Sequence, residues 1–187
     1  MAIPIANQWS ERTNEESVLL GRARQGDREA LARLLTPHQP LLFRVCLSQR
    51  LETSEAEDAT QEALIRATLA LAGGKFAGRA SLRTWLIRIA LNACRDVQRR
   101  QKDTVPLHEE PRITGLETSA IERVGAQAAL STLQSRQRAV FLLREVEEWS
   151  RTETAQALGI TPRRVDYELA LAKSALERWR ESWIQSE

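Results

Sequence analysis

The segment from Ser81 to Lys102, SLRTWLIRIALNACRDVQRRQK, constrains the fold more than any other, because its two faces want opposite environments. Leu82, Trp85, Leu86, Ile89, Ala90, Ala93 and Val97 recur at steps of three and four, which aligns them as one apolar stripe of a helix. Other helices must cover that stripe. Arg88, Asn92, Arg95 and Arg99 recur at steps of four, three and four on another face. Stacked arginines repel one another, so the second face carries a cost that a polyanion would relieve. Between Lys75 and Lys102 eight Lys or Arg stand against Asp96 alone, a net of +7, whereas the whole chain of 187 residues carries +2. An ordinary solvated face would mix in glutamates. Concentrated positive charge points instead to nucleic acid, whose neutralised phosphates release counterions. Phe76 and Trp85 lie in the same segment and are rings of the kind on which unpaired bases stack, although Trp85 falls on the apolar stripe and reads as core.

The rest of the chain is also helical in pattern, and no stretch alternates with the period-two rhythm of a strand. Asn14 precedes one helix, which Gly26 ends. Asp27 caps REALARLL, which stops near Thr36 and Pro37. A third helix is expected from about Leu41 to Arg50, and Ser54 with Glu57 reads as the capping box of a fourth running to about Leu71. Gly73, Gly74 and Gly78 break the chain before Ser81 caps the basic helix. Between Asp103 and about Glu117 the periodicity fails in an acidic segment with two prolines, which reads as a flexible linker. The expected fold is therefore all-α, with two small helical domains at 14–102 and 119–187 joined by an acidic linker at 103–118.

The second of these domains carries a helix-turn-helix pattern. Ser150 and Glu153 form a capping box, Ala155 permits close helix approach, Gly159 turns the chain, and Val165 packs the second helix back. Thr161 as N-cap and Pro162 at the first helical position open that second helix, which in this motif enters a major groove.

Other classes find little support. No run of about eighteen apolar residues and no charged-then-apolar leader are present, so neither a membrane span nor a secretory signal is expected, and a cytoplasmic setting follows. Cys46 and Cys94 lie in apolar helical patterns and read as small buried hydrophobes of a reducing compartment. His38 and His108 are far apart without clustered cysteines, which argues against zinc. With no nucleophile–base pair and no phosphate loop, neither catalysis nor a cofactor is expected.

Taken together, GDREALARLL, EAEDATQEALIRA, FAGRASLRTWLIRIALNACRDVQRR and RQRAVFLLREVEEWSRTETAQALGITPRRV resemble, in that order, the bacterial sigma factors of the extracytoplasmic-function group. The resemblance spans nearly the whole chain. It implies that the first domain (region two) binds RNA polymerase core and opens the promoter's −10 element, that the second (region four) reads the −35 element, and that an anti-sigma factor controls both. By position, Asp58, Gln61 and Glu62 match the family's core-binding D-x-x-Q-E pattern, which docks on a coiled coil of the largest polymerase subunit. Their spacing independently places them on one helix face. The loop around Phe76 and the face of Arg88, Asn92, Arg95 and Arg99 match the −10 region. In region four Arg163, Arg164, Tyr167 and Lys173 are the candidate −35 contacts. Here the chain departs from the family: Asp166, Glu168 and Leu171 replace the usual basic residues, and the segment 130–187 holds nine basic and nine acidic residues. Two acids facing phosphate would weaken binding. Thr154 also stands where the family has a buried isoleucine. The alternatives are a freestanding helix-turn-helix regulator, which needs no core-binding face, and a polymerase adaptor whose region four binds protein.

Overall fold

Asp27, with β-region backbone angles, accepts hydrogen bonds from the amides of Glu29 and Ala30 and so starts a helix at Arg28. Such local devices set most element boundaries. The computed structural model describes residues 5–103 and 128–185, with side chains from 15 to 100 and from 128 to 185; the expected linker, apart from Asp103, lies outside the described residues. The elements are α1 (Ile5–Arg24), α2 (Arg28–Leu35), a 3-10 turn (Thr36–His38), α3 (Gln39–Ser48), α4 (Thr53–Ala72) and α5 (Leu82–Asp103). After the undescribed stretch come α6 (Ser135–Phe141), a π-helical turn (Leu142–Val146), α7 (Arg151–Leu158) and α8 (Pro162–Ile184). No strand occurs among the described residues.

Several boundaries differ from the sequence expectation. The first helix starts at Ile5, upstream of Asn14. Helix α4 starts at Thr53 because the Glu52 side chain and the Glu55 side chain cap one another's backbone, two residues before the Ser54–Glu57 pair that the sequence suggested. The Ser150–Glu153 box forms as expected, with Glu153 N to Ser150 Oγ at 3.2 Å and Ser150 N to Glu153 Oε2 at 2.9 Å. Gly159 adopts φ +65°, the left-handed turn between α7 and α8, and Thr161 Oγ1 accepts from the Arg164 amide at 3.2 Å.

The stripe of α5 is buried as its spacing requires. Leu82, Leu86, Ala90 and Ala93 are buried, joined by Ile87, Leu91 and Cys94, while Trp85, Ile89 and Val97 are half-buried at the margin. Helices α3 and α4 supply the opposing surface through Leu42, Val45, Cys46, Ala56, Ala59, Ala63, Ala67 and Leu71. Alanines along α4 let it lie close to α5, and Thr60, though buried, satisfies its hydroxyl on the Ala56 carbonyl at 2.6 Å. Both cysteines are free and buried, and their thiols hydrogen-bond to each other, which depresses the Cys46 thiol and raises that of Cys94. Thr154 is buried where an isoleucine was expected; its hydroxyl donates to the Ser150 carbonyl at 3.0 Å, which removes the penalty for the polar atom.

The apolar cluster does not stop at region two. Ala139, Leu143, Trp149 and Ala157 from the second half belong to the same contiguous cluster as the α5 core, whereas Val140, Ala155 and Val165 form a smaller cluster inside the helix-turn-helix. The two sequence halves thus share one core in this arrangement.

Adjacent residues on α5 should respond in opposite ways. Ile87→Ala removes a side chain with no exposed surface and should cost about 2–5 kcal/mol. Arg88→Ala, on the exposed face, should change stability by less than about 0.5 kcal/mol. Urea denaturation followed by circular dichroism checks both, and Ser150→Ala, losing its cap, should fall between them at about 1 kcal/mol.

Candidate functional site

Three surfaces carry the residues singled out by sequence. On α5, Arg88, Asn92, Arg95 and Arg99 are all exposed and share a face, as their spacing demands. Arg95 Nη1 donates to Asn92 Oδ1 at 2.8 Å, so the arginine orients the amide beside it. Arg99 pairs with Asp96 at 3.1 Å. The nearby loop is different: Phe76 is buried, with its ring centroid 5.1 Å from that of Trp85, and its carbonyl accepts from Arg24. Phe76 is a packing residue here, and its ring is not offered to a base.

The second surface is α4. Asp58 and Gln61 are exposed and Glu62 is half-buried. The structure adds two neighbours that the sequence reading missed. Ile65 and Leu69, 54% and 68% exposed, continue the same face one and two turns on. This acidic and amide patch beside two exposed aliphatic side chains is complementary in chemistry to basic and apolar groups. The signal was present in the sequence as the spacing 58, 61, 65, 69. Arg66 joins this surface to the first: its Nε lies 2.7 Å from Glu62 and its Nη1 2.8 Å from Asp96 on α5. That bridge holds the Asp96 carboxyl below its ordinary value, Arg66 being the main cause.

The third surface is the start of α8. Arg163, Arg164 and Tyr167 are exposed. The acids of this helix do not simply face phosphate. Asp166 pairs with Arg151 at 3.0 Å, and Lys173 pairs with Glu145 at 3.0 Å. Glu168 is 2% exposed, bound by Arg164 at 2.7 Å with Arg136 at 3.7 Å. The expectation that both acids confront DNA therefore fails for Glu168, because it lies on the inner face of α8, one turn after Arg164, and is held between two arginines.

A fourth feature was invisible to sequence: region four is docked on region two. Arg44 on α3 makes a two-pronged ion pair with Glu147, at 2.7 and 3.1 Å. The Arg83 guanidinium sits 4.2 Å from the centroid of the buried Trp149 ring. Burial lowers the Arg83 pKa, with Glu147 and Glu153 opposing that shift. Arg138, 5% exposed, donates Nε to the Ser48 carbonyl at 2.6 Å and Nη1 to the Leu133 carbonyl. It therefore caps the negative end of α3 with a positive charge. Burial pulls its pKa down to about 10, which still leaves it charged at neutral pH. Ser135 Oγ meets Gln49 Oε1 across the same seam.

Reversing one charge at this seam should part the halves and reversing both should restore them. Arg44→Glu or Glu147→Arg alone should raise the radius of gyration in small-angle X-ray scattering, and the double variant should return it toward the parent value. The coupling should be about 1 kcal/mol, since Arg44 is 43% exposed and solvent screens the pair.

Comparison with known proteins fits this geometry. The family model described as sigma-70 region 2 matches residues 34–104, and that described as sigma-70, region 4 matches residues 123–176. The ECF RNA polymerase sigma factor SigM of Mycobacterium tuberculosis is 32% identical over 170 residues, covering 90% of this chain and 85% of that protein. Among solved structures, CnrH in complex with the cytosolic domain of CnrY superposes with a TM-score of 0.72 at 23% identity, covering 90% of this chain and 98% of that one. RpoE of Bartonella quintana, solved with the anti-sigma factor NepR, gives 0.66 at 21%, covering 79% and 94%. The chain belongs to the sigma-70 family of bacterial RNA polymerase sigma factors, within its extracytoplasmic-function group.

Proposed function

We propose that this sigma factor engages polymerase core through the α4 face of Asp58, Gln61, Glu62, Ile65 and Leu69, and holds the −10 region of the promoter on the α5 face of Arg88, Asn92, Arg95 and Arg99. Arg163, Arg164 and Tyr167 at the start of α8 approach the −35 element, with Lys173 further along the helix. The observation that carries this reading is the joining of two exposed faces of opposite character by one residue, Arg66, which bonds Glu62 on α4 and Asp96 on α5. A freestanding helix-turn-helix regulator needs no such first pair of faces. Because Arg66 fixes the register between α4 and α5, a polymerase seated on one face positions the DNA held on the other.

The docked arrangement of region four also bears on function. The −10 and −35 elements, by the positions that name them, lie about 25 base pairs apart, roughly 85 Å of duplex at about 3.4 Å per pair. Two halves that share one apolar cluster do not reach both elements together, so the seam between α3, α5 and region four opens before the second contact forms. A protein that binds the closed arrangement in preference to the open one shifts the population toward inactivity. CnrH and RpoE were each solved in a complex, with CnrY and with NepR, which supports control of this chain by an anti-sigma factor of the same kind.

The double variant Asp58→Arg, Glu62→Arg should lose co-purification with core polymerase while keeping its helix content; undiminished binding by the folded variant removes α4 from the interface. On the DNA side, Arg99→Ala should weaken promoter binding across sequences and reduce its salt dependence. Asn92→Ala should change preference within the −10 element, and Arg95→Ala should do both, because Arg95 also orients Asn92. Permanganate footprints of the melted region and binding isotherms at two salt concentrations separate these outcomes.

A further inference from the structure

We propose that Glu168 is a positioning residue that fixes Arg164 for reading one base, so that this arginine contributes specificity and little general attraction. The proposal rests on the reading of α8 as the DNA-recognition helix. Glu168 Oε1 accepts from Arg164 Nε at 2.8 Å and lies 2.7 Å from Arg164 Nη2, with Arg136 Nη1 at 3.7 Å. The Glu168 side chain is 3% exposed and Arg164 is 48% exposed, so the acid is sunk in the domain while the guanidinium emerges from it. A carboxylate so placed is sustained only by its cationic partners. The guanidinium also lies over the Tyr167 ring, 4.9 Å from its centroid.

The consequence is geometric. One edge of the Arg164 guanidinium, Nε with one proton of Nη2, is committed to Glu168. The Nη1 protons and the outward proton of Nη2 remain, and these form the end-on pair of donors that matches O6 and N7 of guanine. The rotamer is fixed before DNA arrives, so less freedom is lost when the contact forms. Arg164 is the third residue of α8, at the helix end that reaches base edges in this motif. Its charge is already offset, so phosphate attracts it weakly. Arg163, the preceding residue, has no ion pair or hydrogen bond of its side chain among the described residues and is left to follow the backbone of the duplex. The acid that departs from the family's basic pattern at position 168 thereby divides the work between two adjacent arginines.

The test uses holoenzyme assembled from the full chain and core polymerase, with a promoter library randomised across the −35 element and the selected DNA sequenced. The parent protein should select guanine at one position. Arg164→Ala should flatten that position. Glu168→Gln should lower the same preference by about tenfold, within the usual discrimination of a bidentate arginine–guanine contact, leave the other positions unchanged and steepen the salt dependence by freeing the arginine's charge. In the Arg164→Ala background Glu168→Gln should change nothing further. Glu168→Asp, which keeps the charge but shortens its reach, guards against a Gln variant that fails to fold and should relax the same position. A folded Glu168→Gln or Glu168→Asp protein with the parent preference and salt slope overturns the proposal, leaving a structural ion pair only. A parent holoenzyme indifferent to the −35 sequence overturns the recognition-helix reading itself, a result distinct from the first.

Discussion

Burial of one face of α5 is the constraint on which the other features depend. Its apolar stripe occupies the centre of the cluster that α3 and α4 close, and a side chain such as Leu86 or Ile87 has no accessible surface left. With that face fixed, the helix has no rotational freedom, so Arg88, Asn92, Arg95 and Arg99 must point outward. The repulsion among them is held by packing and offset in part by the Arg99–Asp96 ion pair. The same helix takes the first contact of region four at its beginning, where Arg83 lies against Trp149. One helix thus organises the core, presents the basic face and receives the second half of the chain.

The seam between the halves is built from components of unequal strength. Trp149 is buried and adds large apolar area, yet its indole N–H finds no hydrogen-bond partner among the described residues, and neither does Arg144 Nε. An unsatisfied buried donor costs about 1–3 kcal/mol. The Arg44–Glu147 pair is partly open to solvent and contributes modestly. Arg138 is more committed, because leaving it exposes the Ser48 carbonyl and returns its charge to water. A seam whose apolar burial carries an orphaned donor gives up part of what that burial supplies, which suits a domain contact that opens on the proposed reading.

Much of this was legible in the sequence where the determinants are local. Asp27, Ser150 and Thr161 cap helices through bonds that span two or three residues, and Gly159 turns the chain through its own backbone angle. The two faces of α5 follow from a 3.6-residue period. The failures were of two kinds. Locally equivalent signals competed, as at the start of α4, where the Glu52–Glu55 pair prevailed over Ser54 and Glu57. Long-range pairings left no trace at all: Arg44 and Glu147 are separated by 103 positions, and nothing in either neighbourhood marks them. Burial also escaped the reading at Phe76, whose glycine-rich setting suggested a presented ring, and at Glu168, whose charge suggested an exposed one. In both cases a neighbour supplied the missing term, Trp85 for the ring and Arg164 for the carboxylate.

On the proposed reading, this chain works by separating two halves that are packed together when it is free. Dyes placed by cysteine substitution at Lys75 and Glu177, both exposed, report that separation by single-molecule energy transfer, the native Cys46 and Cys94 being buried. The free protein should show one short distance. Assembly with core polymerase and promoter DNA should lengthen it by tens of ångströms, as the spacing of the two promoter elements demands. A transcriptionally active complex that keeps the short distance would contradict the account.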